Sequence, residues 1–179
     1  MSDVYLGGVG LACALGDDLD AALASLRAGG VRPVPVAVSA HAQWPVYQLS
    51  ASDGGWDERV RRRVRAVVAQ ADRAGGAVSR DAPLFVASSS LDIGHMEHEK
   101  EDRRLGGDLL DFAEIVAGAL GWRGPVFTVS TACTSALNAI LAASDLLRGG
   151  GAEEALVIGA EPDNLSLIHI SEPTRQEAI

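Results

Sequence analysis

The sequence predicts an α/β fold. Apolar runs with strand character alternate with stripes at helical spacing along most of the chain, as in folds that pack helices on a mostly parallel sheet. The composition agrees: 47% of the residues are hydrophobic but only 4% aromatic, and 20 are glycine, an Ala/Val/Leu/Gly-rich mixture. No internal repeat or low-complexity tract interrupts it, and 179 residues suit one domain.

The elements follow in order. Val4 to Val9 reads as a buried strand leading into a turn. Asp17 to Arg27 reads as a helix, with Leu19, Leu23 and Leu26 at helical spacing and Gly29-Gly30 ending it. Pro33 to Ser52 holds three prolines and little periodicity, so a loop with at most one short strand is expected. Asp57 to Arg73 is a helix with Val60, Val64, Val67, Val68 and Ala71 on one face. Leu84 to Ala87 is a buried strand that ends in Ser88-Ser89-Ser90. The charged stretch Glu97 to Arg104 reads as an exposed excursion, and a helix follows from about Leu109 to Leu120. Strand 125–129, helix 134–148 and strand 155–159 complete the set.

Several function classes are excluded at this stage. The formal charge is −9; residues 165–179 contribute Glu172, Glu177 and Arg175, net −1, so residues 1–164 carry −8. Such a chain is a poor partner for nucleic acid. Val4 to Leu15 is apolar, but the only charge before it is Asp3, and a signal peptide needs Lys or Arg there. Cys13 after Leu11-Ala12 hints at a lipoprotein cleavage site, yet Gly10 stands where a leucine-like residue belongs. The run is too short to span a membrane, so a cytoplasmic location is expected. Gly8-Val9-Gly10 is not a dinucleotide fingerprint, because the third glycine position holds Cys13. Cys13 and Cys133 are too few and too far apart in sequence for a metal motif or a disulfide framework. His95 and His98 are an i,i+3 pair without further convergent ligands. No metal and no cofactor are expected.

Cys133 carries the chemistry. It sits in Thr-Ala-Cys-Thr-Ser-Ala, between the apolar run Pro125 to Ser130 and the helical pattern Leu137 to Ala143. A strand-to-helix junction holds a sulfur rigidly beside the unpaired N–H groups and positive dipole end of the helix. A cysteine so placed is a better nucleophile than one in a core. Small neighbours (Ala132, Thr134, Ser135) leave room for a substrate, and the position suits formation of a thioester.

Ser-Thr-Ala-Cys-Thr-Ser-Ala resembles the nucleophile signature of the beta-ketoacyl synthases, the elongating condensing enzymes of the thiolase superfamily. Gly8-Val9-Gly10 and Ala14-Leu15-Gly16 are similar to the family's opening strand and turn, and Glu154 to Glu161 to the strand after the nucleophile helix. The resemblance covers most of residues 1–164, with the middle loosely matched. It implies a thiolase-like fold, in which two related halves, each a five-stranded sheet with helices, form a layered α-β-α-β-α structure. Residues 1–164 would be the N-terminal half only, its helical face exposed where the sister half belongs. It implies a decarboxylative Claisen condensation: Cys133 takes an acyl chain from acyl carrier protein, and a malonyl thioester then loses carbon dioxide and attacks the bound acyl group. The Cys133 N–H would be one oxyanion donor. The second donor and two histidines that assist decarboxylation would lie in the absent half. His41, His95 and His98 match none of those motifs, and surface or loop roles are expected for them.

The family's members are usually dimers, so a homodimer or heterodimer is implied, with Val126 to Ser130 at its interface. Two alternatives stay open: an initiating synthase or thiolase, which also use cysteine, and a non-catalytic partner subunit or dead fragment. Fatty acid, polyketide and aryl-polyene pathways all fit. Met1 leads almost directly into the first strand, which favours a bacterial type II system.

Leu165-Ser166-Leu167-Ile168-His169-Ile170-Ser171-Glu172-Pro173-Thr174-Arg175 resembles a translation of the transposon-end adapter used in tagmentation sequencing. Residues 165–179 are therefore read as a non-native tail, with the native protein continuing past Asn164. Finally, Arg59, Arg61, Arg62, Arg63 and Arg65 form a basic cluster on an acidic chain. Such a patch either steers an acidic carrier protein or is a solvated helix face balanced by Asp57, Glu58 and Asp72.

Overall fold

The structure is a computed structural model that describes residues 3–39, 42–49, 53–91, 93–94 and 109–162. Its elements are α1 (Leu19–Arg27), β1 (Val34–Ser39), β2 (Ala42–Val46), α2 (Trp56–Gly75), β3 (Leu84–Ala87), α3 (Leu109–Leu120), β4 (Val126–Val129), α4 (Ser135–Arg148) and β5 (Leu156–Gly159).

The α/β prediction holds. β3 is the centre of a three-stranded sheet, flanked by β4 and β5, both parallel to it, with Leu84 in register with Val126 and Leu156. All four β3 residues are buried, as expected for a parallel strand covered on both faces. Side chains alternate along a strand, so Leu84 and Val86 join one apolar cluster while Phe85 and Ala87 join another. The first cluster is roofed by α2 and α3. Trp56, Val60, Val64 and Val68 recur every fourth residue on the buried face of α2, and Phe112, Ala113, Val116 and Ala119 answer from α3. The second is roofed by α4, whose Ala139 and Ala143 are small enough to lie close on Phe85 and Ala87. The result is an α-β-α sandwich of helices, parallel sheet and helix.

The basic cluster is engaged in the chain's own contacts. Arg61 Nη1 donates to the Ile115 carbonyl (3.4 Å) and Arg65 Nε to the Ala119 carbonyl (2.7 Å), placing two cations on the C-terminal turns of α3. That is where a helix dipole favours positive charge. Arg59 and Arg62 donate to the Gly54 and Asp53 carbonyls ahead of α2, and Arg63 pairs with Asp17. Replacing Arg65 by Ala should therefore lower stability by about 1 kcal/mol in a urea melt; an unchanged midpoint would return Arg65 to the role of a solvated charge. Elsewhere, Asp81 and Arg123 form a two-bond pair (2.7 and 2.8 Å) between the approaches to β3 and β4. The hydrogen-bonded guanidinium holds the Asp81 carboxyl below the usual carboxylate range.

Three expectations are corrected. Val4 to Val9 is not a strand: Tyr5 and Leu6 are each 82% exposed, and the segment crosses α2 without pairing. Glycine permits this approach, because a Cβ on Gly8 or Gly10 would stand 2.1 Å from the Ala71 oxygen or 2.0 Å from the Val67 oxygen. The Leu11 N–H is then taken by Gln70 Oε1 at 3.0 Å instead of by a strand. The expected turn is present, closed by reciprocal bonds between Cys13 and Gly16. Second, the proline-bearing stretch forms an antiparallel hairpin of β1 and β2, with Pro35 opposite Pro45. A two-stranded ladder is all edge, where a missing N–H is tolerated. Third, α1 forms where predicted and is capped by Asp18 Oδ1, which accepts from the Ala21 N–H at 2.7 Å, but Leu19, Leu23 and Leu26 are exposed and only Ala22 is buried. The five strands implied for the sheet are three among the described residues. Glu97 to Arg104, His41, His95, His98 and residues 165–179 lie outside the described residues.

Candidate active site

Three parallel strands point their carboxyl ends the same way, and in open α/β sheets that edge is where ligands bind. Here it gathers Ser88–Ser90 after β3, Thr131–Thr134 after β4 and Ala160–Glu161 after β5. Cys133 sits on the loop after the edge strand β4, at the strand-to-helix junction the sequence predicts, one residue before the Thr134 cap of α4, with an exposed, free thiol.

The turn that carries it is tight and braced. Ala132 adopts φ +53°, a left-handed conformation that costs a residue with a Cβ about 1 kcal/mol or more. The Ser135 hydroxyl accepts from the Thr131 N–H (2.9 Å) and donates to the Ala132 carbonyl (2.6 Å). Thr134 Oγ1 donates to the Thr131 carbonyl (2.8 Å), and Asn138 Nδ2, one turn into α4, donates to Thr131 Oγ1 (2.8 Å). The sulfur thus sits on a defined corner and not on a loose loop.

The neighbouring loops are joined to each other. Glu161 accepts from the Ser89 N–H and from the hydroxyls of Ser89 (2.9 Å) and Ser90 (2.7 Å). Ser88 Oγ accepts from the N–H groups of Ser90 (3.2 Å) and Leu91 (2.8 Å). The Ser88 carbonyl lies 3.5 Å from Ser135 Oγ, so the β3 loop touches the cysteine turn. Sequence reasoning gave no role to Glu161 or Asn138 and read Ser135 only as a small neighbour of the sulfur. A run of small hydroxyl residues at the end of a buried strand, and a carboxylate straight after another, were the available signals.

A cavity of about 120 Å³ lies between α2 and β5, lined by Trp56, Val60, Val64, Val68, Ile158 and Glu161 among others, and Cys133 is not part of its wall. Cys13 faces an adjoining open groove with Leu15, Leu26, Tyr47 and Glu161, the last shared with the cavity. No cluster of metal-ligating side chains is present among the described residues.

Residues 94–170 match the family model of the beta-ketoacyl synthase N-terminal domain, a span that contains Cys133 and runs six residues past Asn164. A chain from the solved structure of a ketosynthase in complex with its chain length factor, from Xenorhabdus doucetiae, superposes with a TM-score of 0.57 at 24% identity. The alignment covers 82% of this chain and 44% of that one, so this chain spans less than half the length of the protein it matches. No curated protein matches the sequence. The sheet and its helical layers share the fold of that ketosynthase, and the segment bearing Cys133 lies within the span that matches the beta-ketoacyl synthase N-terminal domain.

Proposed function

We propose that Cys133 is the nucleophile of a beta-ketoacyl-[acyl-carrier-protein] synthase of which this chain carries the N-terminal part. The reading rests above all on one observation: an exposed thiol on a braced left-handed corner between a parallel strand and a helix, inside the family-matched span. Sγ attacks the carbonyl carbon of a carrier-bound acyl thioester, the carrier's sulfur leaves with the proton that the cysteine gives up, and the acyl group stays on Cys133. A malonyl thioester then loses carbon dioxide; its carbanion attacks the acyl-enzyme carbonyl and releases Cys133. The Cys133 N–H serves as one oxyanion donor. The second donor and the decarboxylating histidines belong to the rest of the protein, so the chain alone should be inactive in condensation. Condensed product from these residues alone would sink that division. The experiment that tests the reading is incubation with an acyl-carrier thioester followed by peptide mass spectrometry, with the acyl mass expected on the peptide containing Cys133.

The partners proposed are acyl carrier protein and a second synthase-like subunit, identical or different. The solved structure it resembles is described as a ketosynthase with its chain length factor, which favours a paired subunit here. The reaction serves fatty acid or polyketide-type biosynthesis in the cytoplasm; no helix among the described residues is long and apolar enough to cross a membrane. Leu137, Ile140 and Leu141 form an exposed apolar face on α4, with Leu137 68% exposed. We assign that face to the sister half. The chain alone should self-associate in sedimentation experiments, and Leu137→Glu with Leu141→Glu should shift it toward monomer. A monomeric native chain would remove the assignment. The proposal that residues 165–179 are foreign rests on the adapter likeness, and resequencing the source DNA through the Asn164 codon with an adapter-free library decides it.

A further inference from the structure

We infer that Ser135 is a positioning residue for Cys133: its hydroxyl latches the left-handed corner that presents the sulfur. Ser135 opens α4 and is only 4% exposed, while Ala132, Cys133, Thr134 and Ala136 around it are exposed. Its oxygen accepts from the Thr131 N–H at 2.9 Å and donates to the Ala132 carbonyl at 2.6 Å. An ordinary helix cap satisfies N–H groups of its own helix. Ser135 instead bonds to the Thr131 N–H and the Ala132 carbonyl, which bracket the two residues before Cys133, and neither belongs to α4. The closed loop has Cys133 at its crest and Ala132, at φ +53°, as its strained member. The same oxygen lies 3.5 Å from the Ser88 carbonyl, which references the corner to the central strand of the sheet. A buried hydroxyl therefore fixes a conformation that alanine would otherwise leave, and with it the direction of the sulfur.

The catalytic consequence rests on the proposed role of Cys133, but the latch is tested on the thiol alone. The rate of Cys133 alkylation by iodoacetamide is followed in the 179-residue chain by peptide mass spectrometry, with Cys13 as internal reference. Ser135→Ala should slow Cys133 about three- to tenfold and leave Cys13 unchanged, because the sulfur loses its fixed place beside the helix terminus. Adding Ala132→Gly should restore the rate to within about twofold, since glycine holds a left-handed φ without a latch. A folded Ser135→Ala chain with native Cys133 reactivity overturns the inference, as does an equal change at both cysteines, which would signal general loosening. Failure of Ala132→Gly to restore the rate also overturns it. If Ser135→Ala does not fold, the double variant is compared with Ala132→Gly alone: equal rates support the latch acting through Ala132, and unequal rates overturn it. A latch that passes in a chain that takes no acyl group would leave the corner standing and condemn the synthase reading instead.

Discussion

Cys133→Ala removes acyl-enzyme formation: with an acyl-carrier thioester the native chain gains the acyl mass and the variant does not. The expected loss is at least about a thousandfold in acylation rate, because no other atom at the corner can form the thioester. The control is built into the chain. Cys13 is the second free thiol, half-buried in a turn after the N-terminal segment and lining a different groove, so it reports non-specific acyl transfer under the same conditions. Structure should not confuse the result either. Cys133 is exposed, and an exposed substitution that touches no brace changes stability by about 0.5 kcal/mol or less. The braces are the hydroxyls of Ser135 and Thr134 and the amide of Asn138, none of which bonds to the Cys133 side chain. Acylation that persists in the variant, or that falls mainly on Cys13, would place the chemistry elsewhere and leave the family resemblance as one of fold.

The parts of this site that were legible in the sequence are those where a local pattern and the final environment agree. Leu84 to Ala87 is apolar on both faces and becomes the strand that is covered on both faces. The valines of α2 repeat every fourth residue and meet Phe112 and Val116 across a single interface. The place of Cys133 at a strand-to-helix corner was legible because strand, small-residue turn and helix follow one another without a gap. The failures have equally specific causes. Val4 to Val9 has strand composition, but whether an apolar segment is a strand depends on an available edge, and Gly8 and Gly10 gave it a helix backbone to lie on instead. Leu19, Leu23 and Leu26 are correctly spaced for a packed face, yet the described residues put no element against them. Spacing says which side chains share a face, not what covers it. Glu161 and Ser89 are 72 positions apart, and their bond exists only because β3 and β5 are neighbours in the sheet. A pairing set by tertiary topology leaves no local signature. The bonds from Arg61 and Arg65 of α2 to α3 carbonyls, which neither sequence reading of the basic cluster foresaw, have the same origin.

Phe112→Ala should be the most damaging of the stability variants considered. Phe112 is fully buried in α3, with its ring centroid 6.2 Å from that of Trp56 in a tilted arrangement, and it shares a cluster with Leu84, Val86 and Val116. It therefore joins the two roof helices to each other and to the central strand. Truncation removes the transfer energy of the ring and leaves a gap beneath α2, for a loss of about 3–5 kcal/mol. Against a total of about 5–15 kcal/mol for a domain this is about a fifth or more of the stability. In urea the midpoint should fall by roughly 1–3 M for a slope typical of small proteins. Phe127 is the matched control: it stacks on Phe85 at 4.9 Å but is 43% exposed on β4, so its truncation should cost less than half as much. The comparison also bears on the site. Ser88, which touches Ser135, is held at the end of the strand that Phe112 covers, so unfolding and loss of the cysteine corner should track one another in Phe112→Ala when Cys133 alkylation is followed through the urea transition. A loss below about 1 kcal/mol would mean that α2 and α3 close over the gap. The corner would then owe its rigidity to α4 and the strand ends alone, and the roof would be dispensable to the chemistry.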